Sequence, residues 1–357
     1  MTIGQYMRLE SERIASHCTY YPQAYGDGRF RVHSLLAGAG QGYALLVEDT
    51  WSSAAAVLKG MWWEQHELDD PRGANELPFR NAELMQGIQA AKLATQLTQQ
   101  APVVVDLLRE PAPALVAVGN PNPPTELFVV QQFVGYGWTN ARTLKDDLVA
   151  RADDRRTFTE AELLELADQL CSTLAALHTP RRRDDGSRAT YWIHADIKPE
   201  NILVLGPPWR YVLIDYDGAV EKGEEIRTTT DLYAPPANSR TRPEQEAADR
   251  RFDLYMLGAT LAETAGLGRL NEDLRLALYG DEAAHFEAKR RLTELGYGPI
   301  LTSIIASCLS GPNFRLAEVG IVQNELARAR QNSALCRALF EGLQPDPSDG
   351  LTAAPRG

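Results

Sequence analysis

The apolar positions of the chain change rhythm twice. Residues 1–28 show weak periodicity and read as a short N-terminal extension. From Arg29 the apolar residues alternate or run in short blocks. RFRVHSLLA and GYALLVED flank the turn AGAGQG, and SSAAAVLKG follows, which predicts three short antiparallel strands. LPFRNAELMQGIQAAKLATQLTQQ then spaces Leu84, Ile88, Leu93 and Leu97 at helical intervals, before PVVVDLL and ELFVVQQFV return to strand. Residues 29–134 should therefore hold five antiparallel strands and one helix. Beyond Gly135 the pattern turns helical. Thr159-Glu-Ala-Glu162 is a capping box opening a helix with Leu163, Leu166, Leu170, Leu174 and Leu177 on one face. Further helical signals lie near Asp253–Ala265, Asn271–Leu278, Ala283–Leu295, Pro299–Cys308 and Leu316–Gln331. Residues 135–335 thus read as mainly helical. Residues 336–357 read as a tail whose end, QPDPSDGLTAAPRG, is too poor in apolar residues to fold. The fold class is α+β, with no internal repeat.

Composition narrows the function classes. With 357 residues, 44% of them apolar, the chain can bury a large core. It contains no apolar run near the ~20 residues that span a bilayer and no hydrophobic signal core at its start, so a cytoplasmic protein without a membrane partner is expected. Cys18, Cys171, Cys308 and Cys336 are scattered without CxxC pairing, as reduced thiols would be. A net charge of −12 argues against a nucleic-acid partner. The basic cluster Arg181 to Arg188 also holds two Asp and a Gly and reads as a solvated loop.

The densest chemistry lies in TYWIHADIKPENILVLG, Thr190 to Gly206. Apolar strand-like arms anchor both ends of a polar loop. Asp196 there is suited to accept a proton or orient a hydroxyl, Lys198 to supply a fixed positive charge, and Asn201 to offer a neutral oxygen to a metal. Downstream, YVLIDYDGA is an apolar strand ending in Asp215 and Asp217. A carboxylate opposite an amide oxygen suits magnesium, which takes oxygen ligands and keeps several waters. A capped turn with a satisfied buried Asp would give the same pattern from one motif alone.

Taken together, these motifs resemble the protein kinase superfamily, specifically bacterial-style, eukaryotic-like serine/threonine kinases, over about 29–331. The resemblance rests on Asp196, Lys198 and Asn201 in the catalytic-loop spacing, and on Asp215 in an Asp-Tyr-Asp element standing for Asp-Phe-Gly. Upstream lie a Gly-rich turn (Gly38, Gly40, Gly42) and Lys59 on the third strand; downstream lie TTTDLYAPPA, RRFDLYMLGATLAE and GPNFRLAEV with Arg315. It implies a bilobal fold with ATP and Mg2+ as cofactors. The glycines and Lys59 would bind phosphates, Asn201 and Asp215 would bind magnesium, and Asp196 and Lys198 would act on the reacting groups. Thr229 would bond Asp196 and Lys198, and Asp253 would brace the catalytic loop. Adenine would lie between Ala44 and Val57 above and Leu203 below, beside the backbone of Gln132 to Val134, with Gln131 at the back. Partners implied are ATP and protein substrates, the chain itself among them.

The sequence also departs from that pattern. The Gly-rich turn is one residue short, and Ala195 replaces the arginine that precedes the catalytic aspartate. Activity independent of activation-segment phosphorylation is therefore expected. Pro236 stands where the family has a glutamate to pair with Arg315, leaving Glu244 or Glu246 as substitutes. For the helix glutamate that pairs with Lys59, Glu83 is the choice, with Glu64, Glu67 and Glu76 as alternatives. Two rival functions stay open: a small-molecule phosphotransferase of aminoglycoside or choline kinase type, and a pseudokinase scaffold.

Overall fold

A computed structural model describes residues 6–39, 42–70, 74–182, 189–227, 229–236, 248–268, 270, 272–280, 282–311 and 315–342. The first half is built on sheets. Its elements are β1 (Tyr6–Glu10), β2 (His17–Pro22), β3 (Ala24–Tyr25), β4 (Phe30–Ala39), β5 (Gly42–Asp49), β6 (Ala54–Met61) and β7 (Trp63–Glu64). Then come α1 (Gln65–Asp69), α2 (Leu77–Leu97), β8 (Val104–Pro111), α3 (Pro113–Ala117) and β9 (Thr125–Gln132). The main sheet runs β3-β4-β5-β6-β9-β8 with every neighbour antiparallel.

Residues 6–25, expected to be an extension, are instead joined to this sheet system. β3 pairs with β4, making the main sheet six-stranded rather than five-stranded, and β1-β2-β7 form a second sheet. Cys18, Tyr21 and Tyr25 are buried there. The strand β2 buries Cys18 and Thr19 in succession, so its sequence lacks the alternation that marks a strand. The short helices α1 and α3 are only five residues each, below the length at which periodicity shows.

The helix α2 belongs to two cores. Leu77, Leu84 and Ile88 pack with Cys18, Trp63 and Leu115, whereas Ala90, Ala91, Leu93 and Ala94 pack into the large core beside Leu163 and Leu170. Small side chains on its second half let it lie close against that core.

The second half follows: β10 (Gly135–Tyr136), β11 (Thr139–Asn140), β12 (Arg142–Thr143), α4 (Leu144–Asp153), α5 (Glu160–His178), β13 (Trp192–Ile193), β14 (Ile202–Leu205), β15 (Arg210–Leu213) and β16 (Val220–Glu221). It ends with α6 (Arg250–Ala262), α7 (Glu272–Gly280), α8 (Glu282–Glu294), α9 (Pro299–Cys308) and α10 (Val319–Gly342). The capping box forms as expected, with Glu162 N donating to Thr159 Oγ1 and Thr159 N to Glu162 Oε2. All five predicted leucines of α5 are buried, each worth about 1.5–3 kcal/mol. Residues Phe252 to Ala262 of α6 are buried on every side, the mark of a central helix. The helix α4 is mostly polar, with Leu144 and Leu148 one turn apart on the side that faces the core. α10 runs to Gly342, so the tail expected from 336 begins as helix, and residues 343–357 lie outside the described residues.

Candidate active site

The hairpin β14–β15 sets Ile202 opposite Leu213, so Asn201 and Asp215 emerge at the same end. Ile214 N donates to Asn201 O at 2.9 Å and closes that end. The preceding loop is fixed from below by Asp253 of α6, which has no solvent exposure. Its carboxylate accepts His194 N and Ala195 N, each at 2.9 Å, and lies 2.9 Å from His178 Nε2. Thr260 Oγ1 donates to Ile197 O at 3.2 Å. These bonds hold Ala195 at φ +64°, a left-handed conformation that a non-glycine residue adopts only when its surroundings impose it. The buried His194 packs edge-on against the Tyr216 ring at 4.7 Å, and its burial lowers its pKa, which favours the neutral ring.

Asp196 sits in a closed network. Its Oδ2 accepts Lys198 Nζ at 2.7 Å and Asn201 Nδ2 at 2.8 Å, and its Oδ1 accepts Thr230 Oγ1 at 2.7 Å. Lys198 Nζ also donates to Thr230 Oγ1 at 2.7 Å. The threonine in this network is therefore Thr230, not the expected Thr229, whose hydroxyl lies 3.9 Å from Met256 Sδ. The reason is local. Tyr233 N and Ala234 N both donate to Thr230 O, so the turn starts at Thr230 and faces it to the loop.

Lys59 lies on β6 opposite Ala44 of β5. Its ammonium donates to Asp215 Oδ1 at 2.6 Å and Asp217 Oδ2 at 3.0 Å. Burial opposes the charge on Lys59, but the two carboxylates outweigh it and raise its pKa. The nearby Lys59 charge in turn lowers Asp215 to about 2. The expected Glu83 partner is not there: Glu83 is half-buried and accepts Arg227 Nη1 at 2.6 Å. Glu64 faces His17 and His66, and Glu67 faces Arg80. Among the described residues, neither these two nor Glu76 pairs with Lys59. The carboxylates it does meet are Asp215 and Asp217.

The residues expected around a nucleotide are partly assembled. Val134 and Leu203 share an apolar cluster with Ala141, Leu205 and Val212. Val57 is opposite the buried Gln131, and the exposed Gln132 uses its N–H on Val103 O at 2.7 Å. A Cβ on Gly42 would lie 2.5 Å from Gly60 O, so strand packing alone requires that glycine, while Gly38 packs on the Trp62 ring, 3.2 Å from where a Cβ would stand. Gly40 lies outside the described residues.

Asn201 and Asp215 offer one amide and one carboxylate oxygen donor, the chemistry magnesium takes. The Asn201 amide nitrogen is committed to Asp196 O and Oδ2, which leaves its oxygen as the free donor. No group of three or more His, Cys, Asp or Glu is placed to hold an ion among the described residues.

Elsewhere, buried Arg315 donates to Ser310 O and Arg251 O and lies over the Tyr255 and Tyr279 rings. Glu244 and Glu246 lie outside the described residues. Arg275 Nη2 holds Ala234 O at 2.6 Å. Glu263, which the sequence did not single out, joins Lys145 at 2.7 Å to the Tyr233 hydroxyl. Among the described residues no helix is long and apolar enough to cross a membrane.

No protein-family model matches the chain. It is 26% identical over 247 residues to the serine/threonine-protein kinase PknA of a Nostoc species, a match spanning 66% of this chain and 36% of that protein. Over 65 residues it is 37% identical to the serine/threonine-protein kinase YabT of Bacillus subtilis, covering 18% of this chain and 16% of that one. The chain thus matches well under half the length of these relatives. The crystal structure of the Mycobacterium tuberculosis PknI kinase domain superposes with a TM-score of 0.52 at 15% identity, covering 87% of this chain and 98% of that domain.

Proposed function

We propose that this chain, a member of the protein kinase superfamily with its α+β fold, is an ATP-dependent serine/threonine protein kinase. Residues 6–134 would form the small lobe and 135–342 the large lobe, with ATP between them. The observation that carries this reading is the network joining Asp196, Lys198, Asn201 and Thr230. Asp196 orients a protein hydroxyl and accepts its proton, Lys198 meets the charge on the moving phosphoryl group, and Thr230 sets the spacing of the two. Asn201 and Asp215 would hold magnesium, and Lys59 would face the phosphates. Magnesium-bound ATP supplies the phosphoryl group and neutralises its oxygens. Gly38, Gly40 and Gly42 are proposed to lie over the phosphates, and Ala44, Val57, Gln132, Val134 and Leu203 around the base.

Thr230 favours a protein substrate over a small molecule, because it ties the catalytic aspartate to the segment that ends in Tyr233 and Ala234. Retention of Lys59, Asp196, Asn201 and Asp215 together favours an enzyme over a scaffold. Three buried free cysteines, Cys18, Cys171 and Cys308, fit a reducing cytoplasm.

The test is transfer of labelled phosphate from ATP with magnesium, followed by phosphosite mapping. Asp196→Asn and Asp215→Ala should each lower transfer by roughly 10²–10⁴-fold. Wild-type rates in both variants would overturn the assignment. Label on an aminoglycoside or choline, never on protein, would favour the small-molecule reading.

A further inference from the structure

We propose that Asp217, rather than a glutamate of α2, positions Lys59 for the nucleotide, with α2 seated on the turn that carries Asp217. The proposal rests on the kinase reading above and names a positioning residue for it.

Three observations converge on Asp217. Its Oδ2 lies 3.0 Å from Lys59 Nζ, beside Asp215 Oδ1 at 2.6 Å, and among the described residues these are the two carboxylates that meet that ammonium. Asp215 would also serve magnesium, whereas Asp217 has no other proposed role. The Lys59 side chain is only 15% exposed, so its ammonium needs a protein carboxylate beside it.

The second observation is the packing of α2. A Cβ on Gly87 would lie 2.4 Å from Tyr216 O and 3.1 Å from Asp217 Cα. The helix backbone therefore touches the Tyr216–Gly218 turn directly, and any side chain at position 87 would drive the two apart. Seated in both cores, α2 fixes that turn and with it Asp217.

The third is Glu83, one helical turn before Gly87. It is engaged by Arg227, with 45% of its side chain exposed, and contributes nothing to Lys59.

The test follows acylation of Lys59 by acetic anhydride in the nucleotide-free chain, read by mass spectrometry, beside KM for ATP and kcat. Asp217→Asn should acylate Lys59 roughly tenfold faster, as expected for the loss of a charge-assisted hydrogen bond, and should raise KM for ATP. Asp217→Glu should restore part of both, and Glu83→Gln should stay within about twofold of wild type. Melting curves confirm that each variant is folded. An effect of Glu83→Gln with none from Asp217→Asn would overturn the proposal, as would wild-type acylation in Asp217→Asn. If the wild type transfers no phosphate at all, the kinase reading falls, while Lys59 acylation still decides the role of Asp217.

Discussion

The loop from His194 to Asn201 and the surroundings of Lys59 solve the same problem, holding a charged group still, by opposite means. The loop is held largely by residues close in sequence, with a buried carboxylate beneath it and two threonines from farther along the chain. Asp196, Lys198 and Asn201 lie within six positions, Asp253 fixes the backbone just before them, and Thr230 and Thr260 bond to Asp196 and Ile197. Lys59 is instead held by a residue 158 positions away on a turn that a helix backbone presses into place. Local spacing can be read from a sequence. A long-range contact that depends on how near two backbones come leaves only an indirect trace.

If the loop depends on its buried brace, removing that brace should have the largest effect. Asp253→Ala leaves the N–H groups of His194 and Ala195 and the His178 ring without their acceptor in a dry interior. Each unmatched buried donor costs about 1–3 kcal/mol, so a loss on the order of 3–5 kcal/mol is expected. Denaturant unfolding measures it, and a loss under about 1 kcal/mol would mean that the loop is held otherwise.

The corresponding change beside Lys59 is smaller but more specific. Gly87→Ala places a methyl against Tyr216 O, and overpacking of this kind costs about 1–3 kcal/mol. Because the displaced turn carries Asp217, ATP affinity should fall together with stability. Stability lost with nucleotide affinity unchanged would separate the helix contact from the lysine and break the contrast drawn above.

Legibility followed the same division. Asp196, Lys198, Asn201 and Asp215 could be named from spacing because they lie in, or end, short polar inserts between apolar arms, whereas Asp253 came only with the family resemblance. The partner of Lys59 could not: Glu83 sits on a helix that packs against the turn, yet its side chain points to Arg227. Two traces were present, Gly87 in mid-helix and a second acid at Asp217, and neither states a contact by itself. Three consecutive threonines are equivalent in sequence, and only the turn closing on Thr230 O distinguishes them. The strands of residues 6–25 were missed because β2 does not alternate, and α4 because it is short and mostly polar, with only Leu144 and Leu148 marking its inner face.

The threonines give a sharper comparison within the loop. Thr230→Ala removes a hydroxyl that donates to Asp196 and accepts from Lys198, a change of about 1–2 kcal/mol, or roughly tenfold in transfer rate. Thr229→Ala loses only a contact to Met256 Sδ at 3.9 Å and should stay within about twofold. Steady-state phosphate transfer compares them, and equal losses would return the role to the pair.

The smallest effect expected is none. An activation segment regulated by phosphate needs a cation near the catalytic loop to receive it, since a phosphothreonine carries close to two negative charges. Ala195 occupies the loop position where such a guanidinium would stand, and it is fully buried without a polar group. Arg227, on the segment itself, is already engaged by Glu83. A phosphate on Thr230 would replace the hydroxyl shared by Asp196 and Lys198 and so break the network it sits in, rather than complete it. Phosphatase-treated and untreated enzyme should therefore transfer phosphate at rates within about twofold of each other. A loss of tenfold or more on dephosphorylation, mapped to Thr228 or Thr229, would show that a cation outside the loop receives the phosphate, and that the loop is less self-contained than its hydrogen bonds imply.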